Sequence, residues 1–179
     1  MIDFRHPGTS EVVGAAAGAE LALVTGRGPE RLTNIGGSKP LVRDEDIFAL
    51  GEREDDPETR DVKGTGIEVW DLWAVRKIGP GEAAGRAVEI LKASGVDGFW
   101  IHLDADVLDD EVMLAVDSHR PGSLSYAELV ELLRILLRSD LVVGMQVTIF
   151  DPELDPTGEI AQEFTSAVVA ASMGEERGA

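Results

Sequence analysis

The spacing of apolar positions changes repeatedly along this chain, and each change marks a predicted element. From Glu11 to Thr25, Ala, Leu and Val recur densely enough to predict a helix, which Gly26-Arg27-Gly28-Pro29 stops. Residues 29–45 read as loop, broken at Gly36-Gly37 and Lys39-Pro40. Ile47-Phe48-Ala49-Leu50-Gly51 is a short apolar run of the kind that forms a buried parallel strand. Residues 52–66 are strongly charged and predict a surface excursion, and Glu68 to Trp73 predicts a further strand or edge segment. Gly79-Pro80-Gly81 opens a helix near residues 82–94, with apolar positions at Ala87, Ile90 and Leu91 and a stop at Gly95.

The second half is patterned more sharply. Phe99-Trp100-Ile101-His102-Leu103-Asp104 is the clearest strand, and an acidic loop follows it. Ser125-Tyr126-Ala127-Glu128 is a capping box, in which a hydroxyl and a carboxylate satisfy orphan N–H groups at a helix start. The helix it opens runs from Tyr126 to Arg138, with Leu129, Leu132, Leu133 and Leu136 on one stripe. Val142 to Phe150 predicts a second strong strand, an acidic Pro-rich loop runs from Asp151 to Gly158, and a helix covers residues 159–172. Strands alternating with helices argue for an α/β domain, a parallel sheet covered on both faces. No repeat or linker divides the pattern, so residues 1–173 are read as one domain and residues 174–179 as a frayed tail.

Composition narrows the chemistry. Thirty-four acidic residues against sixteen basic ones give a formal charge of −18, a field that repels phosphate backbones and argues against nucleic acid as a partner. The same field attracts cations and cationic substrates, although such an excess is more often a solubilising surface. The absence of cysteine excludes disulfides, zinc-thiolate sites and thiol nucleophiles together. The histidines are His6, His102 and His119, too few for a histidine-rich cage, so carboxylates would have to hold most of any metal. No apolar run approaches membrane-spanning length and no charged-then-apolar leader opens the sequence, which makes a cytoplasmic protein the default expectation.

The stretch richest in candidate chemistry is Asp104-Ala105-Asp106-Val107-Leu108-Asp109-Asp110. It leaves the carboxyl end of an apolar strand, the edge where open α/β sheets place their ligands. Carboxylates at i and i+2 past a strand end can turn toward one pocket, and a hard cation relieves their repulsion. The competing reading is an acidic loop with solvated side chains. Asp3 sits at a second apparent strand end, in Ile2-Asp3-Phe4, with Arg5 and His6 following it.

Together these motifs resemble the ureohydrolase family, the arginases, agmatinases and formiminoglutamases. In that family one strand closes in D-x-H-x-D and a later one in D-x-D-x-x-D. Ile2-Asp3-Phe4 is similar to the close of the first motif, and Asp104 to Asp109 to the second. Pro121 to Glu128 resembles the family's turn into a helix, and Val147 to Pro156 its last strand and following loop. The resemblance implies a three-layer arginase-like parallel sheet with helices on both faces, lacking the N-terminal portion. It also implies a binuclear manganese site whose bridging hydroxide attacks a guanidino or amidino carbon. Carried over by position, Asp104 would bridge both metals, Asp3 would serve one and Asp106 the other. Arg5, His6 and Asp151 would face a small cationic guanidino or amidino substrate. A homo-oligomer is possible, and neither nucleic acid nor membrane is expected as a partner.

The sequence also departs from that pattern. Met1 stands where the first motif has its histidine, and half of the family's metal ligands have no counterpart. The loop histidine that would shuttle protons falls near Ala17, and the carboxylate that would hold a guanidinium falls near Ile149. Truncation, a misassigned start or an eroded relative would each account for this, and hydrolysis by this chain alone is expected to be weak or absent. Two other readings remain. One is a non-catalytic arginase-like scaffold or assembly domain. The other is a haloacid-dehalogenase-type phosphohydrolase, suggested by Asp104-Ala105-Asp106 but lacking a lysine beyond Lys92.

Other residues carry plainer expectations. His102 is read as a packed imidazole, because strand alternation is taken to turn it away from the neighbours of Asp104. His119 is read as a solvated loop residue. Trp70, Trp73 and Trp100 are read as core or interface packing. Asp155, like Asp151, is read as solvated in its loop, although both lie on the candidate edge. Gly36-Gly37-Ser38-Lys39 lacks the spacing of a phosphate-binding loop.

Overall fold

In the computed structural model the described residues are Phe4, 16–53 and 59–173. The chain divides into two compact units, Met1–Trp73 and Ala74–Ala179.

The first unit opens with a 3-10 turn at Ala16–Ala19 that runs into helix α1, Glu20–Val24, and ends at Gly26, where φ is +86°. Within the expected loop 29–45 lie a one-turn helix, α2 (Glu30–Thr33), and a 3-10 turn at Asp44–Asp46. Both are too short to show helical periodicity in the sequence. Strand β1, Phe48–Glu52, pairs in parallel with β2, Glu68–Asp71, and helix α3, Thr59–Val62, lies between them in sequence. The register slips between Leu50 and Glu52, where Gly51 takes φ +87°, a conformation that a side chain would disfavour. The core of this unit gathers Phe4, Ala22, Val62 and Ile67, with Leu21, Ile47, Ala49 and Val69 packed around them. Phe48 and Trp70 meet edge to face at 5.1 Å across the strand pair.

Helix α4, Leu72–Ile78, follows β2 directly. The expected strand therefore ends two residues early, and Trp73 lies on a helix with 59% of its surface exposed rather than in a core. Seven residues with Trp and Val among them carry little helical signal, and only the packing of Leu72 and Val75 reveals the period.

The second unit is the larger. Helix α5, Pro80–Ser94, starts with proline at its first position and ends at Gly95 in the left-handed conformation. It buries Ala83, Ala84, Ala87, Val88 and Leu91, whereas Ile90 is exposed. Strand β3, Phe99–Asp104, pairs in parallel with β4, Val142–Thr148. Parallel neighbours need a crossover, which helix α6, Tyr126–Leu137, provides. Its capping box is complete: the Ser125 hydroxyl accepts from the Glu128 amide, and the Glu128 carboxylate accepts from the Ser125 amide. Leu129, Leu132 and Leu133 are buried, and α6 packs against both α5 and helix α7, Glu159–Ser172. All described strand pairs are parallel and alternate with helices, as the α/β reading requires. No helix of the described residues is long and apolar enough to cross a membrane.

Candidate functional site

The register of β3 and β4 brings Asp104 opposite Thr148 at their shared carboxyl end, with His102 opposite Gln146 one step back. Residues i and i+2 of a strand point to the same face, so His102 and Asp104 stand side by side. The sequence expectation for His102 was wrong on this point. The imidazole is half-exposed, its Nε2 lies 3.3 Å from Asp104 Oδ1, and it is not a packed core residue.

These side chains form one polar network. Gln146 Nε2 lies 2.5 Å from His102 Nδ1, and with the amide donating, Nδ1 is the acceptor and Nε2 carries the proton that faces Asp104. The Thr148 hydroxyl donates to Asp104 Oδ1 and lies 3.3 Å from His102 Nε2. Partial burial pushes the Asp104 carboxyl toward neutrality, but hydrogen bonds from His102 and then Thr148 outweigh it and hold the group below the usual carboxylate range. Asp104 is thus kept ionised in a half-desolvated place.

Asp106 follows within a 3-10 turn, Ala105–Val107, and is 9% exposed. The loop after β3 is consequently not a solvated acidic excursion. Ala105, Leu108, Met113, Ala115, Val116 and Leu124 are all nearly inaccessible, and Leu108 bridges to Leu124 in parallel. Asp109, the last acid of the D-x-D-x-x-D pattern, closes this loop by accepting from the Glu111 amide at 2.9 Å and the Gly122 amide at 2.6 Å. Arg76 of α4 clamps the same loop from outside. It donates to the Gly122 carbonyl, the Ser123 carbonyl and Glu128 Oε1 at 2.9, 2.8 and 2.7 Å. The guanidinium beside Glu128 drives its carboxyl down from 4.5 to about 2.

The loop after β4 is tied to the loop after β3. The Asp151 amide donates to the Ala115 carbonyl at 2.8 Å, and Asp151 Oδ1 accepts from the Glu153 amide at 2.9 Å. Asp155 corrects a second expectation. It is 8% exposed, and its two oxygens accept from the Ile160 and Ala161 amides at 3.3 and 2.8 Å, anchoring the first turn of α7. His119 is exposed, as expected. Ile149 takes φ +72°, a left-handed conformation that is strained for a β-branched residue, on the segment leaving β4.

Asp104, Asp106 and Asp151 therefore stand on the carboxyl side of one parallel strand pair. Asp3, Arg5 and His6 lie outside the described residues. Among the described residues, no group of three or more Asp, Glu or His is placed to hold a metal ion. A manganese pair draws on a larger set of oxygen and nitrogen donors, so the described donors alone do not fit it. Arg76, Gln146 and Thr148 escaped the sequence reading, since none belongs to a charged motif. Thr148 and Gln146 were detectable only through strand register, and Arg76 only through the fold of the loop it clamps.

A family model described as the arginase family matches residues 33–175. The arginase of Brevibacillus brevis is 30% identical over 169 residues, covering 94% of this chain and 55% of its own length. The arginase of Staphylococcus aureus strain COL is 29% identical over 152 residues, covering 84% of this chain and 50% of its own. Among solved structures, arginase from Bacillus caldovelox superposes with a TM-score of 0.86 at 26% identity, over 98% of this chain and 58% of that one. The formimidoylglutamase of Bacillus subtilis gives a TM-score of 0.73 at 19% identity over 95% of this chain and 49% of that one, a likeness of fold alone. The chain spans about half the length of the curated relatives it matches.

Proposed function

The chain belongs to the arginase family, and from that premise we propose that it forms part of a manganese-dependent hydrolase of guanidino or amidino C–N bonds. Its contribution is the pair Asp104 and Asp106. The observation that carries this reading is the placement of the two acids. One is held ionised at a parallel strand end by neutral and imidazole donors, and the other is buried two residues later in a tightly tied loop. Among the described residues the Asp104 carboxylate meets the Thr148 hydroxyl and the His102 imidazole. A carboxylate in that state is prepared for a cation.

Asp3 is proposed as a further ligand. Asp151, fixed by its amide and by its own carboxylate, is proposed to meet the cationic end of a substrate, and Arg5 and His6 are proposed as further substrate contacts. The formal charge of −18 favours the approach of such a substrate. The described ligand set is too small for the metal centre, so no catalytic step is assigned to this chain alone.

Calorimetric titration with manganese, followed by urea or formamide release from arginine, agmatine and formiminoglutamate, tests the reading. Binding lost in both Asp104→Asn and Asp106→Asn is the expected result. Equal manganese uptake by the wild type and both variants would remove these acids from the site. The small ligand set among the described residues also favours a second reading, a scaffold without catalysis, and this would be supported if the protein bound manganese and turned over none of the substrates.

A further inference from the structure

Ile149 holds φ at +72°, where its branched Cβ crowds the backbone and glycine or asparagine would rest more easily. Its neighbours show how the conformation is kept. On one side the Thr148 hydroxyl donates to Asp104. On the other, the Phe150 ring stacks on Phe164 with centroids 6.4 Å apart, and the Asp151 amide donates to the Ala115 carbonyl. The chain is fixed before and after position 149, and the turn between the two ties falls on that residue.

None of this accounts for isoleucine there. A strained, branched side chain is justified where it fills a core, but Ile149 is 41% exposed. Asparagine would make the same turn with less strain and lose little packing. The isoleucine side chain therefore serves something outside the core.

Two more exposed apolar side chains lie by the same tie. Leu114, 55% exposed, precedes Ala115, although Met113 and Val116 of that loop are buried. Leu154, 45% exposed, closes the turn after β4 by donating its amide to the Asp151 carbonyl at 3.1 Å. One exposed leucine needs no explanation. Here a strained isoleucine and two leucines all stand within three residues in sequence of the Ala115–Asp151 hydrogen bond.

We propose that Ile149, flanked by Leu114 and Leu154, is a specificity-determining residue that contacts the apolar substituent of the substrate, so that alkyl-substituted guanidines and amidines are the favoured class. The proposal rests on the hydrolase reading, from which the role of Asp151 toward the cationic end comes. A carboxylate bordered by apolar side chains suits an amphipathic cation. The acid meets the charge, and the methylenes leave water against Ile149 and the leucines.

Calorimetric titration of the full chain, with manganese supplied, against methylguanidine, butylguanidine and hexylguanidine tests this. Affinity should rise about twofold per added methylene, or roughly 30-fold from methyl to hexyl. Ile149→Asn should weaken hexylguanidine about fivefold and leave methylguanidine unchanged. The same variant should melt about 2 °C higher, since the strain is relieved, whereas a packing role would lower the melting temperature. Leu114→Ser, outside the core, should weaken hexylguanidine about threefold, and it decides the question if Ile149→Asn does not fold.

Affinity that is flat with chain length, hexylguanidine binding indifferent to Ile149→Asn, or a lowered melting temperature in that variant overturns the proposal. Asp151→Asn separates this from the reading beneath it, because it should abolish binding of all three compounds. Binding indifferent to Asp151→Asn, or no binding of any of them at about 10 mM, sinks the substrate role of Asp151, and the proposal falls with it.

Discussion

Two acidic 3-10 turns in this protein look alike in sequence and differ in chemistry. Asp44-Glu45-Asp46 precedes β1, and Asp104-Ala105-Asp106 spans the end of β3 and the turn after it. In the first, each aspartate meets a guanidinium. Arg27 grips Asp44 with two hydrogen bonds of 2.7 and 2.5 Å, and Arg43 grips Asp46 at 2.6 and 2.9 Å. Arg27 also lies 5.1 Å over the Phe4 ring, which makes it a structural rivet between a loop and an apolar core. The hydrogen bond from Arg27 is the main cause holding the Asp44 carboxyl below its ordinary range. In the second turn the described partners of Asp104 are Thr148 and His102. An acid gripped by arginine is part of the scaffold, and an acid held by a hydroxyl and an imidazole at a strand end is the better candidate to attract a cation.

The sharpest way to break this contrast is to remove the charge at each turn. Asp104→Asn should lower manganese affinity by at least about 100-fold, measured by calorimetry, while melting temperature changes little. Retained affinity would place Asp104 with the scaffold acids. Arg27→Ala should do the opposite. Stability should fall by about 2 kcal/mol in urea titrations, because the partly buried Asp44 keeps its charge without its partner, and metal affinity should stay at the wild-type value.

Two smaller effects sharpen the comparison. Thr148→Val removes the hydroxyl that holds Asp104 while keeping the strand's shape, and manganese affinity should drop about tenfold. The same variant should raise the Asp104 carboxyl toward its ordinary range, read by NMR titration, which a purely structural role for Thr148 would not do.

The Arg76–Glu128 pair gives the smallest effect, visible against pH. The folded Glu128 carboxyl lies at about 2 against an ordinary 4.5, so its contribution is complete above 4.5 and fades as pH falls toward 2. Arg76 is itself 41% exposed, and solvent screening limits the contribution to about 1 kcal/mol. Glu128→Gln should therefore lie below the wild type in stability at neutral pH and converge with it in acid. A constant gap across that range would mean the pair acts through packing.

Most long elements were legible because their patterns are local. The Ser125–Glu128 box, the leucines of α6, the Pro80 and Gly95 brackets of α5 and the span of α7 need only neighbours within a few residues. Helix α4 was not legible, since its seven residues become a helix through what they bury. The strand end and the spacing that single out Asp104 and Asp106 as candidates were visible in the sequence. The neighbours of Asp104 were not. His102 was assigned to the wrong side although alternation alone fixes i and i+2 together, a misapplied rule rather than a hidden signal. Thr148 and Gln146 became its partners only through the register of β4, forty-odd residues away in sequence.

The sequence by itself determined the α/β class, the order of the long elements and the position of the acid pair, because each follows from short-range periodicity, caps and turns. Tertiary structure alone decided which carboxylates are neutralised and which loop is buried. Those properties depend on which groups from distant parts of the chain come within hydrogen-bonding distance, and no local pattern encodes that distance.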